Sequence, residues 1–128
     1  MKLSRIVWGL AGMLLLGGCG GESAQLEENI EANVERIASA PSAQSSSNPG
    51  DYIKAERQSY EAIVSLGDKA LPHLLQELRG EKGGSLQGWI MAKAGEDILQ
   101  ERSPVKAWAS GTDWIEQYDA ARKRQTEQ

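Results

Sequence analysis

The sequence predicts an all-α fold: a small bundle of about four helices that includes one helical hairpin, preceded by a stalk helix and a disordered linker. Three observations carry this. Beyond residue 20 the apolar residues recur at steps of three and four, and no segment alternates strictly enough to be a strand. Side chains that open helices (Asn48 or Asp51, Asp68, Ser85, Thr112) alternate along the chain with glycines that close them (Gly67, Gly80). At 128 residues there is room for one small domain and not two.

Met1 to Arg5 is a short cationic head bearing Lys2 and Arg5, and Ile6 to Leu16 is apolar apart from Gly9 and Gly12. These are the charged and hydrophobic regions of a secretory signal. The apolar run is shorter than the roughly 20 residues that cross a bilayer, so residues 1–18 are expected to be removed. Residues 24–39 read as an amphipathic helix, with Leu26, Ile30, Val34 and Ile37 in one narrow apolar stripe. Glu27, Glu31 and Glu35 are read on the opposite side, where their i, i+4 spacing is mildly repulsive. Such a helix is marginal alone in water. It is expected to act as a stalk, with a coiled-coil contact or packing onto the domain as alternatives. Residues 40–50 run Ala-Pro-Ser-Ala-Gln-Ser-Ser-Ser-Asn-Pro-Gly and read as a linker. The region 19–50 is thus read as a short start, stalk and linker, and 51–128 as the helical domain.

Within that domain a first helix is expected over residues 52–66, with Tyr52, Ala55, Tyr60, Ile63 and Leu66 inward. Asp68 is then expected to cap a second helix over 69–79. Pro72 falls in its first turn, where the missing N–H costs least, and Leu71, Leu74, Leu75 and Leu78 form its apolar face. Gly80 to Gly84 reads as a turn. Ser85 caps a third helix to about Glu101, with Leu86, Trp89, Ile90, Ala94, Ile98 and Leu99 inward. Gly95 inside it costs ~1 kcal/mol relative to alanine unless a neighbouring helix needs close approach there. Thr112 caps a last helix over 113–123, with Trp114, Ile115 and Tyr118 inward.

Charge narrows the function classes. The chain carries a formal net charge of −4, and losing Lys2 and Arg5 makes it more acidic still. A nucleic-acid surface, which needs clustered cations to displace counterions, is therefore not expected. Electrostatic docking on anionic lipid is disfavoured for the same reason.

Leu16-Gly17-Gly18-Cys19 resembles the lipobox of bacterial lipoproteins, a leucine and two small residues ahead of a cysteine. The resemblance implies cleavage between Gly18 and Cys19, and a diacylglyceryl thioether and N-acyl group on Cys19. It also implies a lipid-anchored, extracytoplasmic location at the inner or outer membrane of a bacterial envelope. Each buried CH₂ of such a lipid contributes ~0.8 kcal/mol, so two or three acyl chains hold firmly where one does not. Cys19 is the single cysteine, so the fold has no disulfide to rely on. Separately, the run Tyr60 to Leu78, with Leu66-Gly67 closing one helix and Ala70-Leu71-Pro72 and spaced leucines in the next, resembles one HEAT-type repeat of about Tyr52 to Arg79. That likeness implies a protein-binding or scaffolding surface. The rest of the chain adds no second self-similar unit, and an array needs about three.

No catalytic constellation stands out. His73 has no evident serine or cysteine partner, and with Cys19 committed to lipid no zinc ligand set is expected around it. Glu96, Asp97 and Glu101, and Asp113 with Glu116, read as a solvated face and an acidic first turn. Gly80-Glu81-Lys82-Gly83-Gly84-Ser85 lacks phosphate-loop spacing. Arg122-Lys123-Arg124 suits the negative end of a helix. Aromatic residues exposed together would be the best contact surface. The expected protein is a non-enzymatic envelope interaction module without a cofactor, held at the membrane through Cys19 and binding another envelope protein. A small ligand-sensing or solute-binding lipoprotein and an envelope accessory hydrolase are the alternatives.

Overall fold

The computed structural model describes residues 21–127; Gly18 and Cys19 lie outside the described residues. The fold is all-α. Among the described residues six α-helices follow one another: α1 (21–38), α2 (Pro49–Ala55), α3 (Arg57–Val64), α4 (Leu71–Arg79), α5 (Leu86–Leu99) and α6 (Gly111–Glu127). Short 3-10 turns at Pro41–Ala43, Gly67–Ala70, Glu81–Gly84 and Gln100–Arg102 join them. Among the described residues no helix is long and apolar enough to cross a membrane.

Central to the packing is α5, which touches α2, α3, α4 and α6. Its composition explains this. Ile90, Met91, Ala92 and Ala94 are fully buried, and Gly95 is buried too, so the helix is apolar on more than one side. Gly95 is where α6 approaches. A Cβ there would lie 3.2 Å from the ring of Trp114, itself fully buried and stacked on Tyr118 at 5.2 Å. The mid-helix glycine is thus offset by contact with the largest side chain of the core. The indole N–H of Trp114 has no acceptor among the described residues.

The expected first domain helix is two. Backbone at Glu56 (φ −124°, ψ 53°) interrupts it and separates α2 from α3. Tyr52, Tyr60 and Ile63 are buried as expected, whereas Ala55 is exposed and Leu66 only half-buried; Ile53 takes the vacated inward position. Asn48 caps α2 by accepting from the Gly50 N–H at 3.0 Å. Asp68 caps nothing. It pairs instead with Arg102 (3.0 Å), and Gly67 opens the turn with φ +63°. Ser85 caps α5 as expected (Gly88 N–H, 3.2 Å), but α6 begins earlier than expected because Ser110, not Thr112, accepts from the Asp113 N–H at 3.1 Å.

Residues 21–50 depart furthest from expectation. Ile30, Val34 and Ile37 of α1 are completely buried, and Leu26 packs at the edge of the same core. The stalk is therefore part of the bundle. Nor is the stretch after it a disordered linker: Ala40 and Ala43 are buried, the Gln44 amide donates to the Ala40 carbonyl, and the Ser46 hydroxyl donates to Asp51 at 2.6 Å. Small side chains let this segment lie flat against the core, which composition alone cannot distinguish from a spacer. The body thus runs from α1 onward, not from residue 51.

A buried polar contact locks α3 to α5. The Tyr60 hydroxyl, on a residue 3% exposed, donates to Asp97 Oδ2 at 2.5 Å, and Lys93 Nζ donates to the other Asp97 oxygen at 2.7 Å. Burial, and then the bond to Asp97, hold the phenol well above its usual range. Tyr60→Phe should lower unfolding free energy by about 1–2 kcal/mol, the worth of a hydrogen bond to a charged group with a partly solvated acceptor. Urea denaturation measures it; an unchanged midpoint would mean that the bond contributes nothing.

Candidate functional site

Two places on the surface gather side chains with chemistry, and neither was assembled by sequence reading. The first is a cleft of about 340 Å³ between the starts of α2, α5 and α6. Tyr52, Leu86 and Trp89 supply its apolar wall and Ser46, Ser85 and Ser110 its hydroxyls; no lining side chain is charged. Trp89 and Trp108 are half-buried and in contact, ring centroids 5.3 Å apart and planes tilted by 40°. The hydroxyls are largely committed to the fold. Ser85 and Ser110 cap helices, and Ser46 accepts from the Asn48 N–H while donating to Asp51. What remains for a visitor is mainly aromatic and aliphatic surface with neutral polar edges. A ligand carrying net charge would find no partner side chain there.

The second place lies where α1 crosses α4. Glu27, Glu31 and Glu35 do not oppose the apolar stripe of α1; each step of one residue turns about 100° round the helix, so Glu31 flanks Ile30 at the edge of the core. That row faces α4 and α5. His73 Nε2 lies 2.9 Å from Glu31 Oε1, and its Nδ1 lies 3.9 Å from Glu27 Oε1. Gln87 reaches Glu35 at 3.4 Å. Lys82, on the Glu81–Gly84 turn, sets its ammonium 3.3 Å from Glu31 and 3.7 Å from Glu77. One ligand atom each from Glu31, His73 and Glu77 falls within 4.8 Å of the others.

The carboxylates of this cluster behave differently. For Glu31 burial works upward, but hydrogen bonds involving Glu77, His73 and Lys82 outweigh it and hold the group below its usual value. Glu77 is pushed up, first by facing Glu31 and then by burial. Lys82 is held above the ordinary lysine range by its bond to Glu31 and that residue's charge. His73, read in sequence without a ligand set around it, thus lies beside two carboxylates. Its partner Glu31 is 42 positions away in sequence, on a helix read as a stalk, and only Glu77 at i+4 was within reach of local pattern.

Asp97 holds Tyr60 and Lys93, and Asp113 accepts from the Ala109 N–H and the Gln117 amide. Gly80 to Ser85 forms the expected turn. Arg122 lies over the Tyr118 ring at 6.0 Å, within a helix that continues to Glu127. Comparison with protein-family models, with curated proteins and with solved structures gives no match for this chain.

Proposed function

We propose that this chain is a lipid-anchored, extracytoplasmic envelope protein with a non-catalytic binding role, and that its binding surface is the cleft beside Trp89. The anchor is supported by the cationic head, the apolar run and Leu16-Gly17-Gly18-Cys19 occurring in that order. The binding role rests on one observation: a half-exposed tryptophan pair beside an uncharged cleft of about 340 Å³. Tryptophans at a desolvated centre with polar edges are the usual anchors of a protein contact. The occupant that fits is an uncharged segment of another envelope protein that inserts one or two apolar side chains. A small neutral ligand is the second reading, since the volume lies at the low end of ligand sites.

A photoreactive residue in place of Ser47, at the cleft rim, should crosslink one partner in intact cells through a short, uncharged peptide. Trp89→Ala should remove that product. Equal crosslinking from exposed Ala120 would sink the assignment to the cleft. For the anchor, Cys19→Ala should abolish lipid labelling and leave the precursor uncut; a mature, membrane-bound Cys19→Ala protein would contradict the lipobox reading.

A further inference from the structure

We propose that Glu31, His73 and Glu77 bind a divalent transition-metal ion of the zinc type, which clasps α1 to α4. The three donors come from two helices and converge within 4.8 Å, each on a partly buried residue. His73 and Glu77 lie one turn apart on α4 and reach the same side of it. The 2.9 Å between His73 Nε2 and Glu31 Oε1 is a hydrogen bond, a few tenths of an ångström shorter than the spacing of adjacent tetrahedral ligands with bonds of about 2.0–2.2 Å, so a small side-chain shift would admit an ion. Glu77 brings a carboxylate oxygen within 4.8 Å of both. One imidazole and two carboxylates suit zinc and its first-row neighbours; calcium and magnesium take oxygen donors alone, and copper(I) prefers sulfur. Three protein ligands leave the remaining coordination positions to water.

Charge argues the same way. Among the described residues, Glu31 and Glu77 share one ammonium, Lys82, while Glu27 lies on the other side of His73. A dication restores the balance that one lysine does not. The other side of His73 is also prepared. Glu27 Oε1, at 3.9 Å from Nδ1, is beyond hydrogen-bond reach, and a shift of its half-exposed side chain toward the ring would let it orient a metal-bound imidazole. Lys82 is the ion's competitor. Its side chain is 46% exposed on a turn, so it can swing into solvent as the ion enters.

His73 is the chain's single histidine, which makes its ring an unambiguous reporter. The test uses the untagged full chain in detergent micelles with Cys19→Ser throughout, so that no thiol competes, titrated with zinc chloride alone. Calorimetry should give one zinc per chain, and the His73 ring ¹⁵N resonances should shift to a saturated position at the same equivalence. His73→Ala and Glu77→Gln should each weaken binding about tenfold or more, and Glu27→Gln by about tenfold. Lys82→Ala should tighten it, an effect that loss of folding cannot mimic. Circular dichroism confirms that each variant keeps its helix content. The proposal is overturned if neither the parent nor Lys82→Ala binds zinc stoichiometrically, or if His73→Ala binds it as tightly as the parent.

Discussion

Gly111→Ala is expected to lower the stability of the domain by about 3 kcal/mol or more, at or beyond the upper end of what overpacking costs. The reason is backbone against backbone. A Cβ on Gly111 would stand 2.5 Å from the Gly83 carbonyl oxygen and 2.7 Å from that of Gly88. Gly88 is in the same position with respect to the Lys82 and Gly83 carbonyls, and Gly83 with respect to Leu78 (2.6 Å) and Thr112. The three glycines let the Glu81–Gly84 turn and the first residues of α5 and α6 meet with nothing between their main chains. No rotamer change relieves such a clash, so the helix starts must separate. Gly84 is the internal control: its added Cβ would meet only Thr112 Oγ1 at 3.7 Å, an ordinary contact. Urea denaturation of the two variants side by side gives the measurement. A loss below about 1 kcal/mol for Gly111→Ala would mean that the junction is looser than the close approach requires.

The second large effect falls on α1. Ile30→Ala and Ile37→Ala should each cost about 2–5 kcal/mol, the range for emptying an isoleucine site that cannot collapse. Both side chains are fully buried in the same core as Trp114, Ile63 and Leu74. Had α1 been a solvated stalk, each change would stay within about 0.5 kcal/mol. The two outcomes differ enough that thermal midpoints alone decide between them. If both variants melt with the parent, α1 does not belong to the body. Because the two sites are two turns apart on one helix, their combined cost need not be the sum.

What could be read from sequence follows from how far each signal reaches along the chain. The α5 cap at Ser85, the inward Trp114, Ile115 and Tyr118, and Pro72 in the first turn of α4 are local matters of side chain against nearby backbone, and all were legible. Gly95 was legible as a question, a destabilising residue awaiting a neighbour, and Trp114 is the answer. The stripe on α1 was legible as a stripe but not as to its partner, since a stalk, a coiled coil and a packed helix need the same spacing. Everything that depended on that choice was hidden with it. The acidic row looked repulsive until His73, Lys82 and Gln87 came to face it. The glycine junction was invisible for a related reason: no periodicity marks main chains that touch across 23 or 28 residues of sequence. Trp89 was expected inward and is half-buried, left at a cleft mouth because the starts of α2, α5 and α6 do not close over it.

The seating of α1 in the core also bears on the proposed attachment to a membrane. A leash of coil would let the body wander and tumble. Here the first fully buried side chain, Ile30, comes nine residues after Gly21 along continuous helix, a post of roughly 13 Å. Under the proposed anchor at Cys19, the body would be joined toward the lipid by helix, not coil, as far back as Gly21.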